Sequence, residues 1–172
     1  MDDFTILEYP DERLRQPSAP VTAFDDASLD RLIDALQGIM TEAGALGMSA
    51  PQVGDHRQVL VIDPSGDGSD IQVYLNPEVL TKGGLGFVEE SCLSVPGVTG
   101  SVMRAMGVKV RARDRAGELF ERDLEGMAAV CLQHEMDHLA GKLFIDRLPP
   151  WRRWRLRARA RRAPQARHAD AS

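Results

Sequence analysis

The sequence predicts an α+β domain, with antiparallel β-sheets packed around a central helix and a first helix near the N-terminus. Three observations carry this. Leu29, Leu32, Ile33, Leu36, Ile39 and Met40 recur at helical spacing and form one apolar stripe. Short strand-like segments follow between about residues 58 and 122, parted by turn residues. A second helical stretch over about residues 124–140 then carries two histidines four positions apart.

Asp25 or Asp26 can cap the first helix, which is expected to end near residue 43. Residues 45–54 read as an irregular loop with Pro51 and two Gly. Residues 58–63 and 71–75 are expected strands separated by a Pro/Gly/Ser/Asp turn, and residues 79–81 and 87–90 are shorter strand candidates. Val95-Pro96-Gly97 breaks the chain. Residues 108–113 and 118–122 are expected to pair as a hairpin, with Gly117 suited to the left-handed position of its turn. The central helix follows, and Gly141 is a natural stop for it.

At 172 residues the chain can form one domain with a sizeable core, and its 43 % hydrophobic content is ordinary for a globular protein. Two Cys do not make a disulfide framework, and as thiols they suit a reducing cytoplasm. Met1 is followed by Asp2 and Asp3, so no basic-then-apolar leader is expected. No apolar run approaches the ~20 residues that span a bilayer. A cytoplasmic protein with no membrane or DNA partner is therefore expected. The net charge of −5 hides an asymmetry. Residues 147–172 hold nine Arg and one Asp, whereas residues 1–146 hold 12 Lys and Arg against 25 Asp and Glu. An acidic body over 1–148 is expected to carry a basic tail over 149–172.

The chemistry gathers on the central helix. Residues 133–141 read Gln-His-Glu-Met-Asp-His-Leu-Ala-Gly. The spacing of His134 and His138 stacks both imidazoles on one helix face, where they can grip one metal ion. Glu135, beside the first of them, can reach a metal-bound water as a general base. The pattern points to metal-assisted hydrolysis, although a solvated helix can carry the same residues by chance. A catalytic site takes three protein ligands and keeps one position open. One zinc-protease arrangement needs a third His at position 144, where this chain has Phe144. Downstream of the helix pair, Asp146, His168 and Asp170 are poor candidates, and Asp137 points away from the His face. Cys92, in Glu90-Ser91-Cys92-Leu93-Ser94, is a better third ligand, because thiolate binds zinc or iron(II) strongly. A free Cys is more often a small buried hydrophobe, and Cys131 fits that description better.

Three stretches in order give the chain a resemblance to the peptide deformylase family. That family shows Gly-x-Gly-Leu-Ala-Ala-Pro-Gln, then Glu-Gly-Cys-Leu-Ser, then Gln-His-Glu-x-Asp-His-Leu-x-Gly. Here residues 45–52 read Ala-Leu-Gly-Met-Ser-Ala-Pro-Gln, and the other two stretches are those at 90–94 and 133–141. The resemblance runs from about Leu14 to about Leu148. It departs at Ala45, Met48, Ser49 and Ser91. If the family's Gly at position 91 serves a positive φ, Ser91 would be strained.

The resemblance implies a hydrolase that takes the formyl group from the N-formyl-methionyl end of new polypeptides and releases formate. It implies one divalent ion held by Cys92, His134 and His138, with iron(II) as the native ion and zinc or nickel as substitutes. Glu135 would carry a proton from water to the leaving amine. The Gln52 amide and the Leu93 backbone N–H would donate to the oxyanion, one such donor being worth ~3–4 kcal/mol. Cys131, Val130 and Met127 lie three, four and seven residues before His134 and share its face. They are expected to line a pocket for the methionine side chain, with Val88 nearby and with Gly47 and Met48 beside the substrate. Plain core packing would suit each of these equally. Glu90 and Arg104 are an expected ion pair bracing the Cys92 loop. The resemblance also adds a C-terminal helix over about residues 151–162, where seven of twelve residues are Arg. Such a helix suits the phosphates of ribosomal RNA, and equally suits a solvated or folded-back cationic tail.

Two other readings stay open at this point. One is a zinc endoprotease built on the same helix, with a third ligand other than Cys92. The other is a catalytically degenerate, ribosome-associated or RNA-binding relative whose metal site is structural. Structural zinc sites are closed by four protein ligands, and only three can be named here.

Overall fold

The computed structural model describes residues 4–160. Helix α1 (Ala27–Glu42) is followed by strands β1 (Gly47–Ser49), β2 (Val59–Ile62), β3 (Gln72–Ser91), β4 (Thr99–Arg113) and β5 (Leu119–Glu125). Helix α2 (Gly126–Leu139) and helix α3 (Pro150–Ala160) complete the order, with a short 3-10 turn at Ala50–Val53 and another at Phe144–Arg147. The strands form one antiparallel sheet in the order β1-β2-β3-β4-β5. The fold class is the expected α+β, with the strands hydrogen-bonded as a single sheet.

Strand β2 explains how one sheet serves two helices. All four of its residues are buried, and successive side chains point to opposite faces. Val59 and Val61 join the α1 stripe of Leu29, Leu32, Ile33, Leu36 and Met40. Leu60 and Ile62 join Val108, Val110 and the α2 residues Ala129, Leu132 and Leu139. Burying one such side chain is worth about 1.5–3 kcal/mol, so β2 binds both helices to the sheet. A third cluster, built on Leu7, Leu14, Val95, Val102, Phe144 and Leu148, closes the far end, with Leu156 of α3 packed against it.

The segments expected at 71–75, 79–81 and 87–90 are one strand of 20 residues. Register shifts between Leu75 and Glu78 and between Val79 and Thr81 keep it continuous. Asn76 takes the left-handed conformation at φ 52°. It is held there because its side chain accepts from Val21 N–H at 2.7 Å and donates to Val21 C=O at 2.8 Å. Pairing with β2 ends at Leu75, so Pro77, which has no N–H to give, falls beyond it.

Strand β4, expected from residue 108, already starts at Thr99, and two further boundaries differ from expectation. Residues 47–49, read as loop, pair with β2, and this short strand aims the following turn at α2. Helix α2 starts at Gly126 and not near 124, because Leu124 still pairs with Val108 and Gly126 makes the strand-to-helix corner at φ 57°.

Candidate metal centre

Cys92 follows the last residue of β3, in the tight connection to β4, where Val95 N–H bonds back to Cys92 C=O at 2.9 Å. His134 and His138 project from adjacent turns of α2, their ring centroids 5.1 Å apart. The three residues come together. Cys92 Sγ lies 3.3 Å from His138 Nε2, and the candidate ligand atoms of all three fall within 4.8 Å of one another. Phe144, where a protease would need its third His, stacks on His134 with centroids 6.1 Å apart.

The surroundings fix the orientation of this cluster. His134 Nδ1 lies 2.8 Å from Glu90 Oε2, which leaves Nε2 for the ion. The Glu90 carboxylate is gripped on both oxygens by Arg104, at 2.6 and 2.9 Å, as the sequence reading expected. Arg104 also donates to Asp137 at 2.7 Å, and Arg147 pairs with the same carboxylate at 2.6 Å. Asp137 therefore points away from the ligands and braces them. Gln133 ties α2 to β4 by exchanging bonds with the backbone of Ala105, at 2.8 and 3.2 Å.

Electrostatics favour positive charge here. Burial would raise the Glu90 carboxyl, but Arg104 and His134 hold it down at about 2. Burial would lower His134, but its bonds to Cys92 and Glu90 push it up to about 10. Burial drives His138 the other way, to about 3, helped by its neighbour His134. His138 therefore offers a neutral ring nitrogen. A cation between Cys92 and His134 would satisfy the charge that otherwise draws a proton to His134. The thiol and two imidazoles are an apt donor set for a divalent transition metal.

Glu135 is buried beside the cluster, and desolvation raises its carboxyl above the ordinary range. Its Oε2 accepts from Ser49 Oγ at 2.8 Å. Gly47 passes so close that a Cβ there would lie 2.7 Å from Glu135 Oε1 and 2.6 Å from Cys131 Sγ. Gln52 reaches the site through its amide, with Nε2 3.7 Å from Cys92 Sγ and 3.3 Å from Ser94 Oγ. Leu93 follows Cys92, and among the described residues no backbone acceptor takes its N–H.

A cavity of about 570 Å³ opens onto these groups. Gly47, Gln52, Cys92, Leu93, Met127, Val130, Cys131, His134 and Glu135 line it. Cys131 also donates its thiol to Leu46 C=O at 3.1 Å, and burial drives that thiol well above its ordinary range. Two expected pocket residues lie elsewhere. Met48 pairs with Val61 and is fully buried on the α1 side, because strand alternation sends Gly47 and Ser49 towards α2 and Met48 away. Val88 pairs with Val102 and is not part of the cavity lining, which stops at Glu89 on that strand. Among the described residues only Asn76 has a positive φ outside glycine, so Ser91 carries no left-handed strain.

Ser49, Ser94 and the Asp137–Arg147 pair are parts of the site that sequence reasoning missed. Ser49 had a signal, since Ser-x-x-Gln before a helical turn is a capping pattern. The Asp137–Arg147 pair has no local signature.

The sequence model of a family described as Polypeptide deformylase matches residues 4–154. A peptide deformylase of Hahella chejuensis is 47% identical over 158 residues, spanning 91% of this chain and 94% of the relative. One of Chromobacterium violaceum is 43% identical over 157 residues, spanning 91% of this chain and 93% of the relative. The crystal structure of a peptide deformylase from Legionella pneumophila superposes with a TM-score of 0.86 at 45% identity, covering 92% of this chain and 93% of that one.

Proposed function

The chain belongs to the polypeptide deformylase family and removes the N-formyl group from nascent polypeptides, and on that premise we propose how its pocket does so. The observation that carries the reading is the buried Glu135 carboxylate beside the Cys92, His134 and His138 cluster, with Glu135, Cys92 and His134 lining one cavity.

Cys92, His134 and His138 would hold one divalent ion, iron(II) by preference, with zinc or nickel as substitutes. A divalent ion there would supply Lewis acidity for the hydrolysis. Glu135, raised by burial, takes a proton from the attacking water and delivers it to the leaving nitrogen. The C–N bond breaks, and formate and a free amino terminus leave. Gln52 Nε2 and the Leu93 N–H donate to the oxygen that gains charge. Met127, Val130 and Cys131 offer the methionine side chain its apolar wall, and Gly47 lets β1 pass close over Glu135 and Cys131.

The two other readings are not favoured. An endoprotease has no use for the Cys92 ligand, and a degenerate relative would not keep Glu135 poised in an open cavity.

We assign the catalysis to residues 1–148 and treat 149–172 as a basic tail by its sequence. Trp151, Arg152, Trp154 and Arg155 of α3 are exposed, and that surface suits contact with ribosomal RNA. The part of the tail beyond Ala160 lies outside the described residues. No helix among the described residues is long and apolar enough to cross a membrane, and the cytoplasm, where nascent formylated chains emerge, is the compartment the substrate implies.

Formate release from formyl-Met-Ala-Ser by anaerobically purified protein, with metal analysis, tests the reading. Formate is expected. Its absence from protein carrying iron(II) would overturn the reading.

A further inference from the structure

Ser49 stands where the family pattern has Ala, and it is fully buried between the two groups that do the chemistry. We propose that Ser49 is a positioning residue that ties the base to the oxyanion donor: its hydroxyl fixes Oε2 of Glu135 and its backbone N–H fixes Oε1 of Gln52. This inference rests on the deformylase reading of the pocket.

The geometry is a proton count. Ser49 Oγ lies 2.8 Å from Glu135 Oε2 and 2.9 Å from Gln52 Oε1. Both are acceptors when Glu135 is ionised, and one hydroxyl proton serves one of them. Gln52 Oε1 already takes the Ser49 backbone N–H at 2.9 Å. Oε2 of Glu135 has no other donor among the described residues. The hydroxyl proton therefore goes to Glu135.

Two consequences follow for catalysis. Holding Oε2 leaves Oε1, the oxygen that a Cβ on Gly47 would meet, as the one that accepts a proton from water. Holding the amide oxygen of Gln52 also settles which way the amide faces. A flipped amide would set its NH₂ against the Ser49 N–H, so Nε2 must face Cys92 and Ser94. Strand β1 makes this possible, because its pairing with β2 turns Ser49 towards α2.

The test measures kcat and KM separately on formyl-Met-Ala-Ser for Ser49→Ala and Ser49→Thr, with bound metal, Tm and a crystal structure of Ser49→Ala. Loss of a hydrogen bond to a charged group predicts a fall in kcat of roughly tenfold to a hundredfold for Ser49→Ala, with KM and bound metal near the unsubstituted values. The crystal structure should show the Glu135 carboxylate turned from its present position. Ser49→Thr keeps both donors and should recover most of the loss. In a Gln52→Ala background, Ser49→Ala should cost a similar factor, since the hydroxyl it removes serves Glu135 while the backbone N–H that holds Gln52 is kept; a much smaller cost there would place the hydroxyl proton on Gln52 and overturn the proposal. Unchanged kcat in Ser49→Ala, or a loss that only tracks lost metal or lower Tm, would overturn the proposal. Unsubstituted protein run beside the variants separates the two ideas. If it releases no formate, the function reading fails; if it is active and Ser49→Ala matches it, only the role of Ser49 fails.

Discussion

Glu90 Oε2 lies 2.8 Å from Nδ1 of His134, and that one contact decides which ring nitrogen is left for the ion. The same carboxylate is held by Arg104, so the imidazole is aimed from behind by a buried ion pair. Removing the negative charge with Glu90→Gln should weaken metal binding about 10–100-fold, the usual effect of losing such a partner. Competition against a chelator measures it, and unchanged affinity would remove Glu90 from the account.

Arg104 joins Glu90 to Asp137 in the interior, with its own side chain nearly inaccessible. Arg104→Met would leave two buried carboxylates facing one lost cation. Breaking one partner out of a buried ionic group typically costs about 3–5 kcal/mol. Urea denaturation of the variant should show a loss of that order, whereas a surface pair would give about 1 kcal/mol or less.

Gly47 passes over Glu135 and Cys131 with no room for a methyl group. Gly47→Ala should destabilise the fold by about 1–3 kcal/mol through overpacking. It should also cost turnover, because one atom it meets belongs to the Glu135 carboxylate proposed to move the proton. A Tm near that of the unsubstituted protein together with full formate release would show that the strand can move aside.

The tail can be separated from the chemistry. A chain ending at Pro150 keeps every residue of the candidate site and loses Trp151, Trp154 and the arginines of α3. It should deform formyl-peptide kinetics little and should lose binding to ribosomes that falls as salt rises. Salt-dependent ribosome binding identical to that of the full chain would end the docking idea.

The central helix, its two histidines and Glu135 were legible because one helical repeat holds the whole pattern. The partner Cys92 needed a second short stretch, and the structure brings it to 3.3 Å from His138. The helix α1 and the β4–β5 hairpin were legible from spacing and from Gly117, which takes φ 83°. Strand β1 was not, since three residues carry no period and form a strand only because β2 lies alongside. That short strand decides the face of its side chains, which is why Met48 falls into the α1 core and Ser49 reaches Glu135. The continuity of β3 was hidden by Asn76-Pro77, which a register shift between Leu75 and Glu78 absorbs as a bulge, and by Gly83-Gly84, where Gly83 pairs with Gly107 in unbroken register.

The most direct test of the account is a Glu135→Ala protein loaded with iron(II), assayed for formate and for bound metal. Glu135 touches none of the three ligands' bonding roles, so the metal content should match that of the unsubstituted protein. Formate release from formyl-Met-Ala-Ser should fall by about 10²–10⁴-fold, the range expected for a lost general acid–base group. Turnover equal to that of the unsubstituted protein, with metal bound, would contradict the assignment of Glu135 and with it the proposed working of the pocket.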